Sequence, residues 1–109
     1  MKTPLHVPLA DARSTPNEAG RLSALLAARG SMELRYYKTP APDPQGPHDQ
    51  DELYLVQRGA GWFVNGEIRH AFGPGDALLV AAGVAHRFEA VGDDLEVWVV
   101  FWGPLGGEA

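Results

Sequence analysis

Residues 61–80, GWFVNGEIRHAFGPGDALLV, decide the fold of this chain. Three short apolar runs lie in this stretch, and two turn-forming sequences, Asn-Gly and Gly-Pro-Gly-Asp, separate them. Asn65-Gly66 is the dipeptide most favourable for a two-residue type I′ hairpin, so we predict that residues 62–64 pair with residues 68–72 across it. Short strands that alternate with tight turns are typical of an all-β protein.

The same pattern extends in both directions along the chain. A proline-rich loop is predicted over residues 39–47, because each proline removes a donor from the hydrogen-bond ladder of a sheet. Turns at regular spacings of about 8–12 residues indicate an antiparallel sandwich or barrel. The seven predicted strands are residues 32–38, 53–57, 62–64, 68–72, 77–80, 86–91 and 95–102.

One helix is predicted before these strands, over residues 16–29. Thr15 can cap it, Pro16 suits the first helical position, and Glu18 follows the cap at the spacing of a capping box. Leucines then recur at helical spacing, and Gly30 supplies the stop. We expect this helix to pack over one end of the barrel.

Length and composition predict a single soluble domain. The chain has 109 residues, 45% hydrophobic and 21% charged side chains, and no long apolar run that would span a bilayer. We divide it into an N-terminal arm and helix (residues 1–31), a β-barrel (residues 32–102) and a frayed tail (residues 103–109). The first ten residues lack the apolar core of a secretory signal, so a cytoplasmic location is expected.

Charge and cysteine content exclude several classes of function. The formal net charge of −5 leaves no basic stripe for a nucleic-acid partner and disfavours binding to an anionic membrane. The absence of cysteine excludes disulfides, thiolate catalysis and cysteine-ligated zinc. Neither a nucleic acid nor a membrane is therefore an expected partner.

Three side chains form a candidate metal site. His48 precedes Glu52 by four residues at the start of one predicted strand, and His86 begins a later strand. A barrel can bring the starts of two such strands to one inner surface. Imidazole nitrogen with carboxylate oxygen suits a divalent zinc, iron, manganese, nickel or copper ion. The alternative is an ordinary buried, hydrogen-bonded cluster of the same three residues.

Two stretches resemble the paired motifs of the cupin superfamily. The first motif has a histidine, a glutamate four residues later and a glycine seven beyond that; the second has a Gly-Asp turn, a glycine and a histidine. The resemblance covers roughly residues 32–102 and implies an antiparallel jelly-roll, or double-stranded β-helix, barrel. The matching residues are His48, Glu52 and Gly59 in the first motif, and Gly75, Asp76, Gly83 and His86 in the second.

One departure concerns the ligands. The family motif begins with a second histidine, and Gly46 stands at that position here, so three of the four usual ligands carry over. Gln45 and Gln50 are candidate replacement ligands or hydrogen-bond donors behind the ligands. The resemblance implies a superfamily that includes metal-dependent dioxygenases, isomerases and decarboxylases, and also non-catalytic binding proteins. Our first hypothesis is a metal-dependent enzyme of oxygenase or isomerase type, with a small-molecule ligand or substrate as its partner. A non-catalytic binding or sensor protein and a metal-free structural cupin remain the alternatives.

Alternation along the strands predicts what surrounds the site. If Glu52 points inward, Tyr54 does too, because side chains alternate between the faces of a strand. Phe88 shares the face of His86, and one of the adjacent tyrosines Tyr36 and Tyr37 must face inward. We predict a pocket lined by Gln50, Phe88 and Tyr37, with Tyr54 as a candidate proton donor.

The last predicted strand is apolar on both faces. Val97, Val99 and Phe101 alternate with Trp98, Val100 and Trp102. An isolated barrel would show polar residues on its outer face. We predict that a symmetric homodimer buries one set, the tryptophan set being favoured, and that cover by the N-terminal helix is the competing explanation.

Overall fold

The computed structural model describes residues 4–38 and 46–108 of the chain. No helix among these residues has the length and apolar character needed to cross a bilayer. The described elements are one short helix and eight strands, which are α1 Leu9–Ser14, β1 Ser23–Arg29, β2 Met32–Tyr37, β3 Asp51–Arg58, β4 Gly61–Asn65, β5 Ile68–Phe72, β6 Ala77–Val80, β7 His86–Glu89 and β8 Glu96–Trp102.

The strands form two antiparallel sheets that face each other across an apolar core. The larger sheet has five strands in the order β1-β2-β8-β3-β6, and the smaller has three in the order β5-β4-β7. Side chains from both sheets meet between them, where Tyr54, Phe63 and Val97 are each fully buried. This is the all-β antiparallel barrel that the sequence predicts.

The register of the central strands aims the residues of β3 inward, as alternation predicts. Glu52 pairs with Phe101 of β8, and Tyr54 pairs with Val99. Directly opposed residues share one face of a sheet. All four side chains are buried, whereas Leu55, the neighbour of Tyr54, is 41% exposed. The acidic and phenolic groups therefore lie inside the barrel.

The predicted helix over residues 16–29 is wrong. Residues 23–29 form β1, which pairs antiparallel with β2 from Ser23↔Tyr37 to Arg29↔Met32. The barrel therefore begins at Ser23 rather than at residue 32. A register shift between Leu25 and Ala27 interrupts the strict alternation of the strand. The apolar residues therefore recur at a spacing that resembles that of a helix. Gly30, taken as a helix stop, is the hairpin turn, with φ of +56°.

The β4–β5 hairpin forms where it was predicted, but its turn is shifted by one residue. Asn65 pairs with Ile68, which leaves Gly66 and Glu67 as the central residues. A type I′ turn needs positive φ at both positions, and only Gly66 has it, at +63°. The turn thus follows the type II′ pattern with glycine first. Strand β7 is also shorter than predicted, since Ala90, with φ of +51°, ends it.

The tail is folded onto the barrel rather than frayed. Gly106 N–H donates to the carbonyl of Asp49 at 2.7 Å, and Glu108 N–H donates to the carboxylate of Asp51 at 2.8 Å. The other Asp51 oxygen accepts from Ala82 N–H at 2.9 Å. These two backbone hydrogen bonds lower the pKa of Asp51. One carboxylate therefore ties the tail, β3 and the segment before β7 together.

The N-terminal segment covers part of the outer face of the larger sheet. Ala12 of α1 packs with Ala24, Tyr36 and Trp98 in a second, smaller apolar cluster. Glu96 supports this contact by accepting hydrogen bonds from Tyr36 Oη at 2.5 Å and Arg13 Nε at 2.8 Å. Trp98 is thus covered by α1, and not by the helix predicted over residues 16–29 as the competing explanation required.

Candidate metal centre

Glu52 is a buried carboxylate without the hydrogen bonds that such a group needs. Its side chain is 1% exposed, at the start of β3 and inside the barrel. Apart from a nitrogen of His86, no group that the structure describes is a hydrogen-bond partner of either carboxylate oxygen. Removing an ionised carboxylate from water costs several kcal/mol unless a cation or donors compensate it. This residue therefore requires a positive partner.

His86 offers that carboxylate a nitrogen at close range. Its Nδ1 lies 2.9 Å from the carbonyl of Val84, which can only accept, so Nδ1 carries a proton. Its Nε2 lies 2.8 Å from Glu52 Oε1. Two arrangements satisfy this contact: a protonated Nε2 in an ion pair, or a neutral imidazole whose lone pair and the carboxylate share a cation.

His48 completes the cluster from the segment before β3. Its Nε2 lies 3.8 Å from Glu52 Oε1, and its ring centroid is 5.2 Å from that of His86. Gly83 N–H donates to the carbonyl of His48 at 2.8 Å and so joins the two segments that carry the histidines. Gly83 has φ of +80°, a conformation that glycine adopts without strain. The motif glycine thus contributes to the convergence of the ligands.

The electrostatic environment keeps His48 neutral. Burial is the largest cause that lowers its pKa, and the nearby His86 imidazole and Arg21 guanidinium lower it further. The attraction of Glu52 and Asp49 opposes this shift without overcoming it. A metal ligand needs an imidazole nitrogen that carries no proton, and a neutral imidazole has one. His48 is therefore in the protonation state that suits ligation at neutral pH.

Together these side chains fit a metal ion. One donor atom from each of His48, Glu52 and His86 lies within 4.8 Å of the other two. The donors are two imidazole nitrogens and one carboxylate oxygen, a set that leaves coordination positions open on zinc, iron, manganese or nickel. The three predicted residues do converge, and the buried carboxylate of Glu52 supplies a negative charge that a cation would balance.

A cavity of about 210 Å³ opens beside His48. Tyr37 and Phe101 form part of its wall from the barrel strands. Gly46, at the position of the missing family histidine, lines it too, and a Cβ atom added there would meet nothing within 4 Å. The absent fourth ligand therefore coincides with space for a small molecule.

The predicted aromatic residues lie at different depths. Tyr37 lines the cavity, and its ring stacks on that of Phe88 with centroids 6.1 Å apart. Phe88 is buried in the core beneath and packs edge-on against Tyr54. The Tyr54 hydroxyl lies 3.1 Å from His86 Nε2. Tyr54 thus contacts the candidate ligands directly, whereas Phe88 supports the ring that faces the cavity.

Gln50 lies beside the site, but its side-chain amide is hydrogen-bonded to backbone carbonyls. Its amide nitrogen donates to the carbonyls of Gly103 at 2.9 Å and Ser31 at 3.3 Å. Gln50 also lines a second, polar cavity of about 340 Å³ that shares His48 with the first. Its position connects the β1–β2 hairpin to the tail. Gln45, the other candidate replacement ligand, lies outside the described residues.

Sequence reasoning missed the contribution of the segment before β1. Gly20, Arg21, Leu22 and Ser23 line the cavity beside His48. The sequence predicts a packing helix for these residues. Helical periodicity does not indicate which residues would lie at a pocket. Alternation on β8 was the useful signal, since it put Val99 and Phe101 on one face, and both line this cavity.

Comparisons with known proteins agree with this architecture. The family described as the AraC-like ligand binding domain matches residues 30–109. An uncharacterized protein of Streptomyces coelicolor is 34% identical over 94 residues, which are 86% of this chain and 90% of that protein.

Solved structures of low sequence identity share the fold. A cupin-2 domain protein from Shewanella frigidimarina superposes with a TM-score of 0.69 at 15% identity, covering 89% of this chain and 94% of its own. A putative mannose-6-phosphate isomerase from Ralstonia eutropha gives 0.64 at 22% identity, covering 93% and 100%. The fold of two facing antiparallel sheets and the match over most of the chain show that this protein belongs to the AraC-like ligand binding domain family of the cupin superfamily.

Proposed function

We propose that this protein binds one divalent transition-metal ion through His48, Glu52 and His86 and takes up a small organic ligand in the adjoining cavity. The observation that carries the proposal is the buried Glu52 carboxylate, whose Oε1 lies 2.8 Å from His86 Nε2 and which has no other hydrogen-bond partner among the described residues. When bound, the metal would act as a Lewis acid that polarises a ligand oxygen at an open position.

The chain's own residues have distinct parts in this proposal. The hydrogen bond between Nδ1 of His86 and Val84 fixes the ring and directs Nε2 to the ion. The aromatic wall of Tyr37 and Phe101 excludes water from the ligand's apolar part. Membership of a ligand-binding family supports small-molecule uptake. A cytoplasmic location stays a prediction from composition.

Metal titration tests this proposal. Protein stripped with a chelator and titrated with Zn²⁺, Mn²⁺ and Ni²⁺ is expected to bind one ion per chain. Loss of a residue that only hydrogen-bonds a metal ligand weakens metal binding by roughly 10- to 100-fold. His48→Ala and His86→Ala remove the ligands themselves, so we expect them to weaken metal binding by more. His70→Ala is the matched control, because His70 is an exposed histidine on β5. Equal losses in all three variants, or no uptake by the wild type, would contradict the proposal.

Catalysis is the second candidate function, and the position of Tyr54 favours it. The phenol lies 3.1 Å from His86 Nε2, within reach of a proton transfer at the site. If Tyr54 donates a proton, Tyr54→Phe retains metal binding and loses turnover of small organic substrates. Assays under air and under nitrogen distinguish oxygenase from isomerase chemistry. Retained turnover in Tyr54→Phe would limit this residue to packing.

A homodimer remains a proposal as well. On the outer face of the larger sheet, Leu55 is 41% and Leu79 is 62% exposed, beside the half-buried Val100 and Trp102. Contiguous apolar surface of this kind is typical of contacts between subunits, and a second copy presents the same self-complementary patch. We expect light scattering after size exclusion to give twice the 11.7 kDa chain mass. We expect Leu79→Glu to shift the protein to the monomer, and a wild-type monomer at micromolar concentration would exclude the dimer.

A further inference from the structure

Arg21 lies at the edge of the cavity beside the candidate metal centre. Its side chain lines this cavity together with His48, and it is 45% exposed. A tight turn holds it there, in which Arg21 N–H donates to the carbonyl of Glu18 at 2.9 Å and Gly20 takes φ of +77°. The backbone of the segment that precedes β1 therefore holds Arg21 at the edge of the cavity.

The guanidinium of Arg21 retains donors for a ligand. It is the one side chain with a fixed charge among the described residues that line this cavity. Its contact with Glu18 is long, 3.7 Å, because that carboxylate is held by the buried Arg35 at 2.7 Å. A guanidinium has five N–H donors, and one distant carboxylate uses few of them.

We propose that Arg21 recognises an anionic group of the ligand, so that the ligand class is small organic acids with one oxygen group for the metal and a carboxylate for Arg21. This inference rests on the proposed function, since it takes the metal-side group to be held at His48, Glu52 and His86. Arginine suits this role because its planar fork binds a carboxylate through two parallel hydrogen bonds.

The charges that line the two neighbouring cavities support this geometry. Among the described residues of the smaller cavity, Arg21 has no carboxylate beside it that would compete with an anion. Arg21 also lines the neighbouring polar cavity, but that cavity contains the carboxylates of Glu33 and Asp49, which repel anions. The anionic ligand is therefore directed into the smaller cavity, between Arg21 and the metal.

A matched pair of ligands tests the inference. Succinate and its half-amide succinamate differ only in one carboxylate, and calorimetry on protein loaded with Mn²⁺ measures the affinity of both. We expect the wild type to prefer succinate about tenfold or more, and Arg21→Gln to lose the preference with unchanged metal stoichiometry. Arg69→Gln is the control, because Arg69 is similarly exposed, at 48%, and lies on β5.

Each result decides the inference separately from the metal site. Equal affinity of the wild type for both ligands, absence of binding by either, or a preference that survives in Arg21→Gln overturns the role of Arg21 even if metal binds. If no metal binds, the proposed function fails, and the same titrations on the metal-free protein decide whether Arg21 alone selects the anion. A preference there that Arg21→Gln abolishes would still support the anion site.

Discussion

Glu52→Gln is expected to abolish metal binding while leaving the metal-free protein at least as stable as the wild type. The carboxylate of Glu52 is buried, and when the imidazole of His86 is neutral it accepts no hydrogen bond from the described residues. In the metal-free protein its charge is therefore a cost, and a neutral amide of the same shape removes that cost. With metal present the same carboxylate is a ligand, so its loss removes the stabilisation that the ion provides.

Thermal unfolding with and without metal measures both effects. At free metal one hundred times its dissociation constant, binding adds about 2.7 kcal/mol to wild-type stability, or about 10 °C in Tm. We expect no such shift in Glu52→Gln. Glu96→Gln is the matched control, since Glu96 is also buried but accepts hydrogen bonds from Tyr36 and Arg13. It is expected to lose about 1–3 kcal/mol and to keep the metal-dependent shift.

The opposite result would identify an ion pair in place of a metal site. If a protonated His86 neutralises Glu52, the amide leaves an imidazolium buried without a counter-charge. Breaking a buried pair in this way costs about 3–5 kcal/mol. A metal-free Glu52→Gln that is destabilised by this amount, with no metal-dependent shift in the wild type, would therefore contradict the metal proposal. Glu52 is the residue whose substitution separates the two explanations most directly.

The candidate site was predictable from sequence because its residues lie on regular strands. Once Glu52 points inward, strand alternation places Tyr54 inside, and the same rule applies to His86 and Phe88. Both pairs are buried in the structure. Alternation cannot show that the starts of two separate strands meet. The spacing of the paired motifs indicated this.

The segment before β1 was not predictable in the same way. Apolar residues at positions 22, 25 and 26 satisfy helical spacing, yet a register shift after Leu25 produces the same pattern in a bulged strand. Sheet formation wins because β1 completes the edge of the larger sheet beside β2, where Ala24 and Ala27 become buried. Because of this error the cavity wall was not predicted. Arg21 lies in the connection before β1, and the predicted helix over residues 16–29 has no such connection.

Gly59→Ala is expected to cost about 3 kcal/mol of folding stability, which is about 10 °C in Tm. Gly59 is the glycine of the first motif, and it follows β3 with φ of +95°. A Cβ atom there would lie 2.8 Å from Leu95 Cα and 3.2 Å from Leu95 N. Backbone atoms cannot rotate away, and Leu95 is itself buried in the main core. The substitution therefore combines backbone strain with a main-chain clash.

Two other glycines separate these contributions. Gly20 also has positive φ, +77°, but an added Cβ meets nothing within 4 Å, so Gly20→Ala reports the strain alone, about 1 kcal/mol. Gly73 has neither feature, and Gly73→Ala is expected to be neutral or slightly stabilising. Denaturant unfolding of the three variants measures the series. If Gly59→Ala loses no more folding stability than Gly20→Ala, the β3–β4 connection can shift to make room for the added Cβ. In that case the motif glycine would be needed for its backbone angle rather than for its closeness to Leu95. Leu95 directly precedes β8, the strand that carries Val99 and Phe101 to the cavity.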